Sequence, residues 1–163
     1  MNQGREFQVR VEGISFDAAH FATFHGEAEP LHGHTYTVAA ELEGTLADDA
    51  WVVDFGVVKK ILRAIVHDLD HRFLLQRESK LLTIDDAETN WKVRTPAGIG
   101  YVLPKGDVVA LPIDNSTSER LAELFVARFW QELDERGARN VRCVTVEVWE
   151  GHGQRAAHTQ ARE

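Results

Sequence analysis

Two runs of alternating polarity constrain this 163-residue chain more than anything else in it. From Arg5 to Glu12 the apolar residues Phe7, Val9 and Val11 alternate with polar neighbours, the pattern of a strand with one face buried. Gly13 shifts the phase, and the apolar set resumes as Ile14, Phe16 and Ala18, so a bulge at Gly13 turns the strand while one face stays inward. His20 falls in that inner set. After a loop from Phe21 to Leu31, a second run places His32, His34, Tyr36, Val38, Ala40 and Leu42 on one face, with Thr35, Thr37, Glu41 and Glu43 on the other.

The buried faces of these strands need a covering layer, and two helical stripes supply it. Asp54 is placed to cap a helix whose inward residues are Val58, Ile61, Leu62, Ile65 and Leu69, ending near Asp70 and His71. Ser116 and Glu119 form an S-x-x-E capping box ahead of Leu121, Leu124, Phe125, Phe129 and Leu133, and Gly137 stops that helix. A last strand over Val141 to Glu150 points Val144, Val146, Val148 and Glu150 inward. The acidic stretch from Ala47 to Ala50 reads as a turn. Between the helices lies an insert at about 76–112, with short strand-like pieces around Trp91 to Val93 and Tyr101 to Leu103 and no evident chemistry. The order predicts one α+β domain over 1–163, an antiparallel sheet carrying two long helices on one face.

A formal charge of −8 opposes nucleic-acid binding, which needs Lys and Arg gathered on one face. No apolar run approaches membrane-spanning length, and MNQGREFQVR lacks the apolar core of a signal peptide. A single cysteine, Cys143, forms no internal disulfide. A cytoplasmic protein is expected.

His20, His32 and His34 carry the strongest chemical signal. Residues i and i+2 of a strand point the same way, so His32 and His34 reach one ion, and pairing with the first strand brings in His20. One histidine on an apolar face is ordinarily a hydrogen-bonded core residue. Three in register would leave three imidazoles to desolvate, which a metal satisfies together. Three neutral ligands also leave a coordination position open, the arrangement of a catalytic zinc.

Around these residues the chain resembles the superfamily of 6-pyruvoyl and 6-carboxy tetrahydropterin synthases. The resemblance runs through F-D-A-A-H, L-H-G-H-T-Y, V-V-D-F, D-L-D-H, N-S-T-S-E and V-E-V-W-E, in that order along nearly the whole sequence. It implies a tunnelling fold, an oligomeric barrel that is usually a hexamer of identical subunits, with zinc sites and pterin pockets formed between neighbours. By the same resemblance His20, His32 and His34 are the Zn2+ ligands, Glu150 grips the pterin ring, and Thr117 and Ser118 lie beside it. Asp70 and His71 resemble the family's proton relay. On local sequence alone Glu150 reads also as a strand-end acid reaching water, and His71 as a helix-end cation.

The chain departs from the pyruvoyl- and carboxy-forming members at one place. Those carry a reactive cysteine shortly before H-G-H, where this sequence reads H-G-E-A-E-P-L-H-G-H. That stretch resembles a third subgroup in which a glutamate replaces the cysteine, making Glu29 the candidate base. The subgroup converts 7,8-dihydroneopterin triphosphate to 6-hydroxymethyl-7,8-dihydropterin, so a zinc-dependent lyase of folate synthesis is the leading expectation. Formation of 6-carboxy-5,6,7,8-tetrahydropterin for queuosine synthesis, or of the 6-pyruvoyl product, is the alternative. A non-catalytic pterin-binding subunit is a further one.

Overall fold

The structure, a computed structural model, describes residues 6–162. Arg5, where the first alternating run begins, lies outside the described residues, as do the extreme ends of the 1–163 span. In chain order the elements are β1 (Phe7–His20), β2 (Thr23–Phe24), β3 (Glu27–Ala28), β4 (His32–Gly44), α1 (Phe55–His67), β5 (Arg72–Gln76), β6 (Thr83–Asp86), β7 (Asn90–Arg94), β8 (Gly100–Pro104), β9 (Val108–Leu111), α2 (Ser118–Glu135), β10 (Val141–Gly151) and β11 (Gln154–Ala161).

Six strands form one sheet in the order β11-β10-β4-β1-β5-β9. The first four are antiparallel: β10, β4 and β1 are the strands the alternating runs predict, and β11 adds an edge strand that they do not. The sheet as a whole is mixed, because β5 runs parallel to β1 and β9 parallel to β5. Parallel neighbours need a long crossover, and the chain between β5 and β9 provides one. The expected bulge is present: pairing of β1 with β4 shifts between Val11 and Ile14, and Gly13 sits at φ 81°, a left-handed conformation that glycine adopts without a Cβ penalty.

Both helices cover one face of this sheet. Phe16, Tyr36, Val38, Leu42, Val144 and Val146 are buried there against Ile61, Leu62, Phe125 and Phe129. Burial of each such side chain stabilises by about 1.5–3 kcal/mol before chain entropy is counted. The Asp54 carboxylate accepts from the Val57 N–H at 3.1 Å, capping α1 as the sequence predicts. The helix closes at His67, short of the expected Asp70, although Leu69 remains buried.

At α2 the capping box gives way. Thr117 is the cap, its hydroxyl accepting from the Arg120 N–H at 3.4 Å, and Ser116 points elsewhere. Gly137, at φ 68°, follows the last turn as predicted.

The 76–112 stretch divides in two. β6, β7 and β8 form a separate antiparallel meander, whereas residues 108–111 are β9 of the main sheet. The alternation of β5 places the meander: Leu74 joins the helix-side core, while Phe73 and Leu75 pack with Trp91 and Val93 on the other face. No helix among the described residues is long and apolar enough to cross a membrane.

Candidate metal centre and substrate cavity

The register of β1 against β4 sets the histidines. His20 stands directly opposite His32, and Ala18 opposite His34, so all three imidazoles project from the helix-side face at one end of the strand pair. Their ring centroids lie 4.7 to 5.2 Å apart, and their ligand atoms all fall within 4.8 Å of one another. Phe16 and Tyr36, stacked at 4.9 Å, form the floor, with the Tyr36 ring in edge contact with His20 and His34. The middle residue of H-G-H packs closely on the neighbouring strand, where a Cβ on Gly33 would crowd the Ala18 carbonyl oxygen at 3.2 Å.

Hydrogen bonding fixes which nitrogen His20 and His32 offer. His20 Nδ1 lies 2.9 Å from the Ser116 carbonyl oxygen, which only accepts, so Nδ1 carries the proton and the Nε2 lone pair is free. That Nε2 is buried and has no hydrogen-bond partner. His32 Nδ1 likewise faces the Pro30 carbonyl at 2.7 Å, freeing its own Nε2. Carbonyl acceptors behind imidazoles are the usual outer support of metal-ligating histidines. Burial holds the His20 imidazole below its ordinary range, keeping it neutral as a ligand must be. The donor set therefore fits a metal ion. Ser116 is a site residue that the capping-box reading missed: its carbonyl holds His20, and its buried hydroxyl donates to the Phe21 carbonyl at 3.1 Å.

A cavity of about 360 Å³ opens over the three histidines. Glu29, Glu150, Thr117 and Ser118 line it, so the fold brings four further sequence candidates to the histidine cluster. Glu150 extends the inward set of β10, beyond the buried Val144, Val146 and Val148. Burial pushes the Tyr36 hydroxyl above the usual tyrosine range, and the charges of Glu150 and Glu29 add to it. The Ser118 hydroxyl is buried at the cavity wall without a partner.

Glu29 arrives by a short hairpin inside what the sequence presents as a loop. β2 pairs with β3 across His25 and Gly26, both in left-handed conformation (φ 51° and 82°), the requirement of a two-residue hairpin turn. After the hairpin, the Glu29 N–H donates to the Ala22 carbonyl at 2.9 Å and its carboxylate accepts from the Ala22 N–H at 3.2 Å. Cys143 lies in β10, paired with Glu43 and Ala161 at the far end of the strands, and burial raises its thiol pKa.

Asp70 and His71 stand elsewhere in the chain. His71 Nδ1 lies 3.0 Å from Asp70 Oδ1, and the same oxygen accepts from the Asp17 N–H at 2.9 Å. That main-chain donor, followed by His71, pulls the Asp70 carboxyl below the usual range. His71 is left-handed (φ 58°) and donates its N–H to the Asp17 carbonyl at 2.6 Å. His71 lines a different cavity that His34 also borders.

The sequence model of the family described as 6-pyruvoyl tetrahydropterin synthase matches residues 8–161. The chain belongs to the 6-pyruvoyl tetrahydropterin synthase family. It is an enzyme of the tetrahydropterin synthase type, and the α+β fold with its sheet and two helices is that of the family's solved structures. A relative from Methanocaldococcus jannaschii, provisionally named 6-carboxy-5,6,7,8-tetrahydropterin synthase, is 33% identical over 149 residues, covering 90% of each chain. A dihydroneopterin monophosphate aldolase from Pyrococcus furiosus is 43% identical over 60 residues, 37% of this chain and 51% of that one. The crystal structure of 6-pyruvoyl tetrahydropterin synthase from Plasmodium vivax superposes with a TM-score of 0.92 at 32% identity, covering 98% of this chain and all of that one. Two further structures of the P. vivax protein are described as catalytic-residue mutants, in which a glutamate is replaced by alanine or by cysteine.

Proposed function

We propose that this protein is a zinc-dependent lyase that converts 7,8-dihydroneopterin triphosphate to 6-hydroxymethyl-7,8-dihydropterin. The observation that carries the reading is the cavity itself: a glutamate, Glu29, lines it beside the three histidines, and the chain's one cysteine lies in a distant part of the sheet. The P. vivax protein, of which a glutamate-to-cysteine exchange is described as a catalytic-residue mutant, supports a catalytic role for a glutamate here.

His20, His32 and His34 would hold the zinc ion, which would supply Lewis acidity toward the side-chain oxygens of the substrate. Glu150 accepts hydrogen bonds from the pterin amino group and ring N–H, a bidentate pairing that orients the ring, with Thr117 and Ser118 beside it. Glu29 removes the proton from the hydroxyl on the second side-chain carbon. As that carbon becomes an aldehyde, its bond to the first carbon breaks, and the electron pair is delocalised into the dihydropterin ring. His71, oriented by Asp70, returns a proton to the first carbon. The products are the hydroxymethyl pterin and a two-carbon aldehyde bearing the triphosphate, so atoms and electrons balance without an oxidant.

Within one chain neither Asp70 nor His71 lines the histidine cavity, and His71 lines a separate one, so this mechanism places them at the reaction through a neighbouring copy in a homo-oligomer, a hexamer by family resemblance. A second reading, formation of 6-carboxy-5,6,7,8-tetrahydropterin, draws support from the name of the M. jannaschii relative. The absence of a cysteine from the histidine cavity counts against it. Zinc dependence is tested by stripping the purified enzyme with chelator. Turnover should vanish and return with one equivalent of zinc per chain, and protein with both His32→Ala and His34→Ala should hold none. Full turnover in stripped protein would overturn the reading.

A further inference from the structure

A network of side-chain amides joins the metal strap, the segment at Ser116 that orients His20, to the hairpin that delivers Glu29. Asn115 uses both ends of its amide on one residue: its Oδ1 accepts from the Thr23 N–H at 2.9 Å and its Nδ2 donates to the Thr23 carbonyl at 2.8 Å. The side chain thus pairs with Thr23 as a neighbouring strand would. The residue before it, Ala22, holds Glu29 through its carbonyl and its N–H. On the other side, Asn115 Oδ1 and the buried Gln76 Oε1 both accept from the Ser116 N–H, at 3.0 and 3.1 Å, and Ser116 is the residue that orients His20. Segment 22–23 is therefore gripped by Glu29 on one flank and by Asn115 on the other. β2 and β3, two residues each, have little pairing of their own to hold them.

We propose that Asn115 is a positioning residue that fixes the β2–β3 hairpin against the metal strap and so sets where the Glu29 carboxylate stands over the three histidines. The inference rests on the role given to Glu29 in the proposed function, and its test separates the two. In the zinc-loaded enzyme, Asn115→Ala should speed amide hydrogen exchange in the segment 20–31 by roughly 5- to 10-fold, the effect of losing a hydrogen-bonded pair. Zinc content should hold, because Gln76 still accepts from the Ser116 N–H. Misplacing a reacting group should lower kcat by roughly 10- to 100-fold with a smaller change in KM. That loss should disappear when the same change is made in Glu29→Gln protein, where no base remains to misplace. Asn115→Asp, which keeps the bonds accepted from Thr23, Ser116 and Gln76 and loses the donation to the Thr23 carbonyl, should fall between the wild type and the alanine variant. Unchanged exchange in segment 20–31 overturns the proposal, as does loss of zinc with the hairpin unaltered. A kcat loss that multiplies with that of Glu29→Gln overturns the link to Glu29. If Glu29→Gln itself turns over normally, the role of Glu29 as base falls, while faster exchange in the Asn115→Ala hairpin still upholds the clamp.

Discussion

Exchanging Glu29 for glutamine removes a proton acceptor while leaving its surroundings in place. The main-chain bond from Glu29 to the Ala22 carbonyl, 2.9 Å long, does not involve the side chain, and a glutamine oxygen can still accept from the Ala22 N–H. The carboxylate makes no bond to the histidines' ring nitrogens; His20 pairs with Ser116 and His32 with the Pro30 carbonyl. The hairpin and the metal site should therefore survive, and the change isolates proton transfer. A positioned base contributes about 10²- to 10⁴-fold, roughly 3–5 kcal/mol of barrier, so kcat on 7,8-dihydroneopterin triphosphate should fall by that factor. Glu27→Gln, in the exposed β3 and outside the cavity lining, is the control and should stay near wild type. The assay is steady-state turnover beside zinc content measured on the same preparations. Near-normal turnover in Glu29→Gln, or loss of its zinc, would refute the assignment.

Two further outcomes test the scaffold. Glu147 is nearly buried and takes paired bonds from Arg10 at 3.0 and 2.7 Å and one from Arg155 at 2.8 Å, so Glu147→Gln should cost about 1–2 kcal/mol at pH 7, roughly 3–6 °C in Tm. Because Arg10 depresses the carboxyl's folded pKa, this stability is present above the unfolded value of about 4.3 and is lost as pH falls through the lower folded one; the wild-type advantage should shrink in acid, and a constant difference down to pH 2 would contradict it. Phe125→Ala, fully buried with its ring 6.4 Å edge-on to Phe16, should lose about 3–5 kcal/mol in denaturant titration, and a loss under 1 kcal/mol would show that the site's floor is not packed as described.

The sequence pattern speaks clearly where one face of an element meets the core and the other meets water. β1 with its bulge, β4, β10 and both helices have that character, and the three histidines lie on the face their parity predicts. β5 hides because Phe73, Leu74 and Leu75 are buried on both faces, by the helices on one side and the meander on the other, which erases alternation. β11 hides for the opposite reason, being largely exposed at the sheet edge with only alanines among its polar residues. Ser116 and Thr117 are adjacent residues of the same capping chemistry, and only the position of His20 decides that the first serves the metal strap and the second the helix. Asn115 and Gln76 act through side-chain amides on distant backbone, contacts that leave no periodicity in the sequence. Asp70 and His71 are a pair legible in the sequence and intact in the chain, yet the chain alone sets them apart from the cavity over His20, His32 and His34.

The most direct measurement is a mass spectrum of the pterin formed when the zinc-loaded enzyme is given 7,8-dihydroneopterin triphosphate. Cleavage between the first and second side-chain carbons, with Glu29 as base, predicts 6-hydroxymethyl-7,8-dihydropterin together with a phosphorylated two-carbon aldehyde. A 6-carboxy or 6-pyruvoyl tetrahydropterin as the sole product would contradict the assigned reaction.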